Sequence, residues 1–275
     1  MQKSVTVRVI PLCLLCAIAS VGCEKSAAPG GAPVAAANSL LECAAKDLLG
    51  ESTPVLRLAE PGMCPGHFDI RPSQVQRLRG CRVLLRLDFQ QALDVKLAGA
   101  TDGGLKIVPV QIKGGLCEPS SYLSTCTQIA EALVAAGLLT KETGAERIKH
   151  IEERMKILSA QCQEETKSLE DTPVLCSVHQ EAFCRWLGLD VVATFRGADV
   201  ESTRQLDAAL KTAREKNVRL IVANRPEGRK CADFLAERLD AKAAMFDNFP
   251  ALNDGQNSFD DMVRQNVKRL LEAAK

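Results

Sequence analysis

Short, mostly apolar runs alternate with longer amphipathic runs along most of the chain, and this alternation limits the possible fold more than any other feature. Strands are expected at 55–58, 82–87, 106–110, 173–178, 191–195, 218–223 and 243–246. They are apolar enough to be covered on both faces, rather than strictly alternating. Helices are expected between them, at 40–49, 72–79, 89–98, 121–136, 180–187, 200–216, 229–239 and 259–274. Strand and helix in turn argue an α/β fold with mostly parallel sheets. The rhythm breaks once. From Ala145 to Leu169 there is no strand signal, and Ile148, Ile151, Met155, Leu158 and Cys162 recur at spacings of three and four between charged residues. A helix of about 25 residues spans about 37 Å, enough to link two lobes. The expected architecture is therefore two α/β lobes joined by one long connecting helix, with lobes at 39–137 and 171–275 and the connector at 138–170.

The first residues point to export. Lys3 and Arg8 precede an apolar run over 9–22 that ends in small residues and falls short of the roughly 20 residues of a membrane span. Residues 1–22 thus read as a signal peptide. Ser20-Val21-Gly22-Cys23 resembles the lipobox of bacterial lipoproteins, in which the leader is cut before a cysteine that takes the lipid. Residues 23–38, rich in Ala, Gly and Pro, read as a flexible tether. The chain is expected in the bacterial cell envelope, held to a membrane by lipid on Cys23.

Export changes the meaning of the twelve cysteines. Setting aside Cys13, Cys16 and Cys23 leaves nine, an odd number that cannot all pair within one chain. None forms a C-x-x-C, which weakens a thioredoxin-like reading. The 35 Lys and Arg against 34 Asp and Glu leave a net charge of +1 with no basic concentration, so nucleic acid is not an expected partner. A monomer is expected.

Ligands of parallel α/β sheets bind beyond the carboxyl ends of the strands. His67 lies in the loop after the 55–58 strand, Cys117 and Glu118 after 106–110, His179 directly after 173–178, and Asp247 directly after 243–246. Two of these segments come from each lobe and would converge on one cleft. Imidazole and carboxylate together suit Zn²⁺ or Mn²⁺, with nitrogen donors favouring zinc. Cys64 and Cys117 flank the same cleft, where a disulfide or thiolate ligation are both open.

These segments resemble the metal-binding solute-binding lipoproteins of bacterial zinc/manganese ABC importers. Gly66-His67-Phe68-Asp69-Ile70-Arg71-Pro72-Ser73-Gln74-Val75 is similar to the stretch that carries the family's first ligand. Ser177-Val178-His179-Gln180-Glu181-Ala182-Phe183 is similar to the third-ligand motif, and Met245-Phe246-Asp247-Asn248-Phe249 to the segment that supplies the last carboxylate. Phe259, Met262, Asn266 and Leu270 follow the spacing of the closing helix. The resemblance runs from about Leu40 to the end. It implies capture of Zn²⁺, ahead of Mn²⁺, by His67, His179 and Asp247, with Glu118 or Cys117 completing the shell, and delivery to an ABC-type permease without catalysis. The chain departs from the family near Gly114, where a second histidine is usual, and it lacks a His-rich acidic loop. Two other readings use the same residues: a metal-dependent hydrolase or chelatase with an open coordination position, and a disulfide-rich structural or redox lipoprotein.

Overall fold

Three small, completely buried residues, Val34–Ala36, form a central strand, β1. This corrects the tether expected over 23–38, which already contains a sheet strand. A three-residue strand at the middle of a parallel sheet needs neither alternation nor bulk, because neighbours cover both its faces; its Ala-rich composition therefore read as linker. The computed structural model describes residues 32–61, 70–97, 103–197, 202–252 and 257–275.

The first sheet runs β2 (Val55–Arg57), β1, β3 (Val83–Leu87), β4 (Lys106–Val110), all parallel, with Ala35 opposite both Leu56 and Leu84 and Leu85 opposite Val108. The second runs β6 (Asp190–Phe195), β5 (Pro173–Ser177), β7 (Leu220–Asn224), β8 (Lys242–Phe246), also parallel. The two orders are the same, second-first-third-fourth in each lobe. The likeness between the halves is thus closer than a shared βα rhythm.

Helices α1 (Ser39–Leu49), α2 (Pro72–Leu78), α3 (Ala92–Lys96) and α4 (Pro119–Ala135) accompany the first sheet. Helices α6 (Glu181–Trp186), α7 (Thr203–Glu215), α8 (Lys230–Leu239) and α9 (Phe259–Ala273) accompany the second. Their starts are marked in the sequence. Asn38 accepts the Leu41 N–H at 3.1 Å at the head of α1, and Ser202 and Ser258 cap α7 and α9 in the same way.

The connector α5, Lys141–Thr166, is one helix of 26 residues capped by Thr140, about 39 Å long. It buries Ile151, Met155, Leu158 and Cys162 of the stripe expected from the spacing, and leaves Ile148 half-buried. A single apolar cluster passes from the first sheet through α4 and α5 to Val174, Phe183, Val222, Phe246 and the inner face of α9. Phe259 of α9 stacks on Tyr122 of α4, centroids 4.0 Å apart and rings 7° from parallel. The closing helix of the second lobe is thereby fixed to the first. Among the described residues no helix is long and apolar enough to cross a membrane.

Candidate metal site at the strand ends

The segment after β4 presses on the other lobe. Gly114 has φ +100, and a Cβ there would lie 2.7 Å from Ser121 Oγ and 2.9 Å from Glu118 Oε2. A Cβ on Gly115 would lie 3.1 Å from Ala182 Cβ of α6. Glycine is therefore favoured at Gly114 by its positive φ, which accounts for a small residue where the family usually has a histidine. Glu118, at the head of α4, turns its Oε1 back to accept the Gly115 N–H at 2.9 Å. Its carboxylate shapes the loop.

Cys117 is 1% exposed and sits where the lobes meet. Its Sγ is 3.1 Å from the Asp247 carbonyl oxygen and 3.7 Å from Asn248 Oδ1, and it accepts from Asn266 Nδ2 at 3.8 Å. Burial, reinforced by the charges of Asp247 and Glu118, pushes this thiol well above its usual range. In this arrangement Cys117 is a buried free thiol, hydrogen-bonded across the lobes. Around it lie buried amides: Gln180 Nε2 donates to Asn248 Oδ1 and, at 3.4 Å, to Asn224 Oδ1. This polar floor joins the segments after β4, β5, β7 and β8. Such networks are stable when their members are satisfied.

Asp247 is held from both sides. Its backbone exchanges two hydrogen bonds with the Asn266 amide, each 2.9 Å long. Arg225 Nε is 2.5 Å from one carboxylate oxygen and Arg269 Nη1 is 2.6 Å from the other, with the Asp247 side chain 8% exposed. Two guanidiniums thus compensate the carboxylate.

His179 is 57% exposed on the side chain, and its Nε2 lies 3.6 Å from Oε1 of Glu227. Glu227 is deeper. Its Oε2 accepts from Ser177 Oγ at 2.6 Å and its Oε1 from the Gly197 N–H at 3.1 Å.

The structure thus joins Cys117 to the backbone of Asp247, places His179 beside Glu227, and folds Glu118 onto its own loop. His67 and Cys64 lie outside the described residues. Among the described residues no group of three or more His, Cys, Asp and Glu side chains is arranged to hold a metal. Sequence reasoning missed Glu227, which follows β7 after a short turn, Arg225-Pro226-Glu227; searching a few residues past each strand would have found it. The arginines on Asp247 and the amide floor are contacts between distant segments and carry no local signal.

Residues 34–273 match the family described as zinc-uptake complex component A, periplasmic. The chain belongs to this family. It is a divergent member, and no curated protein matches its sequence. The Cd-bound periplasmic metal binding protein from Candidatus Liberibacter asiaticus superposes with a TM-score of 0.75 at 12% identity, covering 87% of this chain and 98% of that one. Its Mn-bound form gives 0.73 at 11% identity over the same shares, 87% and 98%. A mutant of the laminin-binding adhesin from Streptococcus agalactiae gives 0.74 at 16% identity, covering 89% of this chain and all 100% of that chain. At such identities the shared property is the fold: two parallel-sheet α/β lobes with a long helix between them. For the zinc-uptake family, a periplasmic metal-binding component of an importer, that fold supports metal capture for import.

Proposed function

We propose that this protein, exported and anchored by lipid on Cys23, captures Zn²⁺, in preference to Mn²⁺, between its lobes and delivers it to an ABC-type permease. No reaction is catalysed. His67 and His179 serve as neutral imidazole ligands and Asp247 as the anionic one, with Glu118 or Cys117 completing the shell in the reading taken from the sequence. The observation that carries the proposal is family membership over 34–273 combined with the meeting of the segments after β4, β5 and β8 on one cleft floor. Nitrogen and oxygen donors together suit zinc. Asp247 enters the shell only by exchanging Arg225 and Arg269 for the ion, so two positive charges leave the carboxylate as one doubly charged ion arrives.

Calorimetric titration of the chelator-stripped protein tests this. Wild type is expected to bind Zn²⁺ more tightly than Mn²⁺, with affinity falling as pH drops through the histidine range. His67→Ala and His179→Ala are each expected to weaken binding by at least about tenfold. Equal binding by wild type and both variants, or none by any, sinks the reading. The common core predicts how binding changes shape: small-angle scattering is expected to give the same radius of gyration with and without Zn²⁺. A clear compaction would show the lobes swinging together despite the core they share.

A further inference from the structure

We propose that Glu227 is a ligand of the captured metal, beside His179, in the place the sequence pattern left to Glu118 or Cys117. This inference rests on the metal-capture reading above and goes beyond it by naming the carboxylate.

Topology gives the first argument. In the second lobe the chain moves from β5 outward to β6 and then returns to place β7 on the opposite side of β5. The crevice between β5 and β7 is therefore the switch point of the sheet, where ligands of parallel sheets bind. His179 follows β5 and Glu227 follows β7, so the pair flanks that crevice. Asp247 follows β8, the edge strand.

Geometry gives the second. The 3.6 Å between His179 Nε2 and Glu227 Oε1 is beyond hydrogen-bond range for these groups. It is close to the separation of about 3.4 Å between two donors of a tetrahedral Zn²⁺ at Zn–N and Zn–O lengths of about 2.1 Å. Small side-chain movement would seat an ion between them.

Orientation gives the third. Ser177 Oγ and the Gly197 N–H fix the Glu227 carboxylate, as outer partners commonly fix a ligating carboxylate. The side chain is 17% exposed, while that of His179 is 57% exposed. A half-buried, oriented carboxylate thus faces an accessible imidazole. The competing candidates make hydrogen bonds elsewhere: Glu118 to the Gly115 N–H, and Cys117 to the Asp247 carbonyl on the floor of the cleft.

The test titrates wild type, Glu227→Gln, Glu227→Asp and Ser177→Ala with Zn²⁺, and follows the visible absorption of each protein loaded with Co²⁺. Thermal melts of the metal-free proteins report folding. Glu227→Gln is expected to melt as wild type does and to bind Zn²⁺ about 100-fold more weakly; Ser177→Ala, which only frees the carboxylate to turn, should lose about tenfold. Glu227→Asp should still bind Co²⁺ with its absorption bands shifted, a change that loss of a purely structural ion pair would not produce. If Glu227→Gln does not fold, the Glu227→Asp spectrum decides, and bands identical to wild type overturn the assignment. Wild-type affinity in Glu227→Gln overturns it too while leaving metal capture standing. Failure of wild type to bind either Zn²⁺ or Mn²⁺ removes the assignment and the capture reading together.

Discussion

Replacing Arg154 with methionine is expected to cost about 2–3 kcal/mol of folding stability at neutral pH, measured by urea unfolding. Arg154 stands on the long helix α5 and grips Asp47 of α1 with both ends of its guanidinium, at 3.1 and 2.5 Å. Its Nε lies 3.2 Å from Asp260 at the start of α9. Asp47 also accepts the Tyr122 hydroxyl of α4 at 2.7 Å. One cation therefore compensates two carboxylates that are 19% and 17% exposed and ties four helices from both lobes together. Removing one partner of a buried pair costs about 3–5 kcal/mol. The Arg154 side chain is 38% exposed, so water recovers part of that loss. Against a usual total of about 5–15 kcal/mol the effect is large.

The pH dependence of that loss has a definite sign. Burial raises the Asp260 carboxyl above its ordinary value, with Arg154 opposing the rise. A carboxyl whose folded pKa is raised makes folding less favourable as pH climbs through the carboxylate range, because the folded state holds the proton longer. Without Arg154 the rise is greater, so the deficit of the methionine variant should shrink as pH is lowered toward about 4. A second substitution, Asp260→Asn, should return much of the stability at neutral pH. A deficit below about 1 kcal/mol in the single variant, no more than an exposed pair contributes, would show that the cluster holds nothing together.

Under reducing conditions the protein is expected to unfold as pH rises from 9 to about 11, followed by circular dichroism. Cys43, Cys81, Cys117, Cys126, Cys162, Cys176 and Cys184 are buried as free thiols. Burial pushes Cys43 from 9.0 up to about 12, and Cys81 and Cys162 up to about 11. Burial likewise raises Cys117 and Cys126 well above the ordinary value, and a hydrogen bond that the Cys184 thiol donates to Cys176, together with burial, raises Cys184. The unfolded chain loses these protons near the ordinary value, whereas the folded chain keeps them. Stability then falls with pH by about 1.4 kcal/mol per unit for each such thiol. Three thiols acting together remove about 4 kcal/mol per unit, which consumes an ordinary domain's stability within two or three units. Cys81→Ala with Cys162→Ala should make the decline shallower. A urea midpoint unchanged between pH 8 and about 11 would contradict the prediction.

The fold was legible because its strands are apolar on both faces and its helices carry caps and periodic stripes. Ile151, Met155, Leu158 and Cys162 announced the long connector by spacing alone. Val34–Ala36 was not legible: three small residues in an Ala-, Gly- and Pro-rich stretch show no pattern, and their place at the centre of a sheet is decided by partners at Leu56 and Leu84. The site divides in the same way. His179 could be named as a candidate because it directly follows a strand, and the proposed ligand Glu227 could not, because it closes the turn Arg225–Glu227 after one. The pairing of Asp247 with Arg225 and Arg269, and the amide floor of Gln180, Asn224, Asn248 and Asn266, depend on residues that only the folded chain brings together. No local rule contains them.

The core common to both lobes has a mechanical consequence for unloading. Opening the lobes as a pair of jaws would tear apart apolar contacts that hold the protein folded, so handing over a bound ion and unfolding would draw on the same contacts. Exposed side chains at the rim, such as His179 at 57% exposed, can turn without breaking that core. A receptor that pulls on this rim could loosen the grip on an ion while the body of the molecule stays rigid. The time an ion stays bound would then be set by the rim and by whatever docks there.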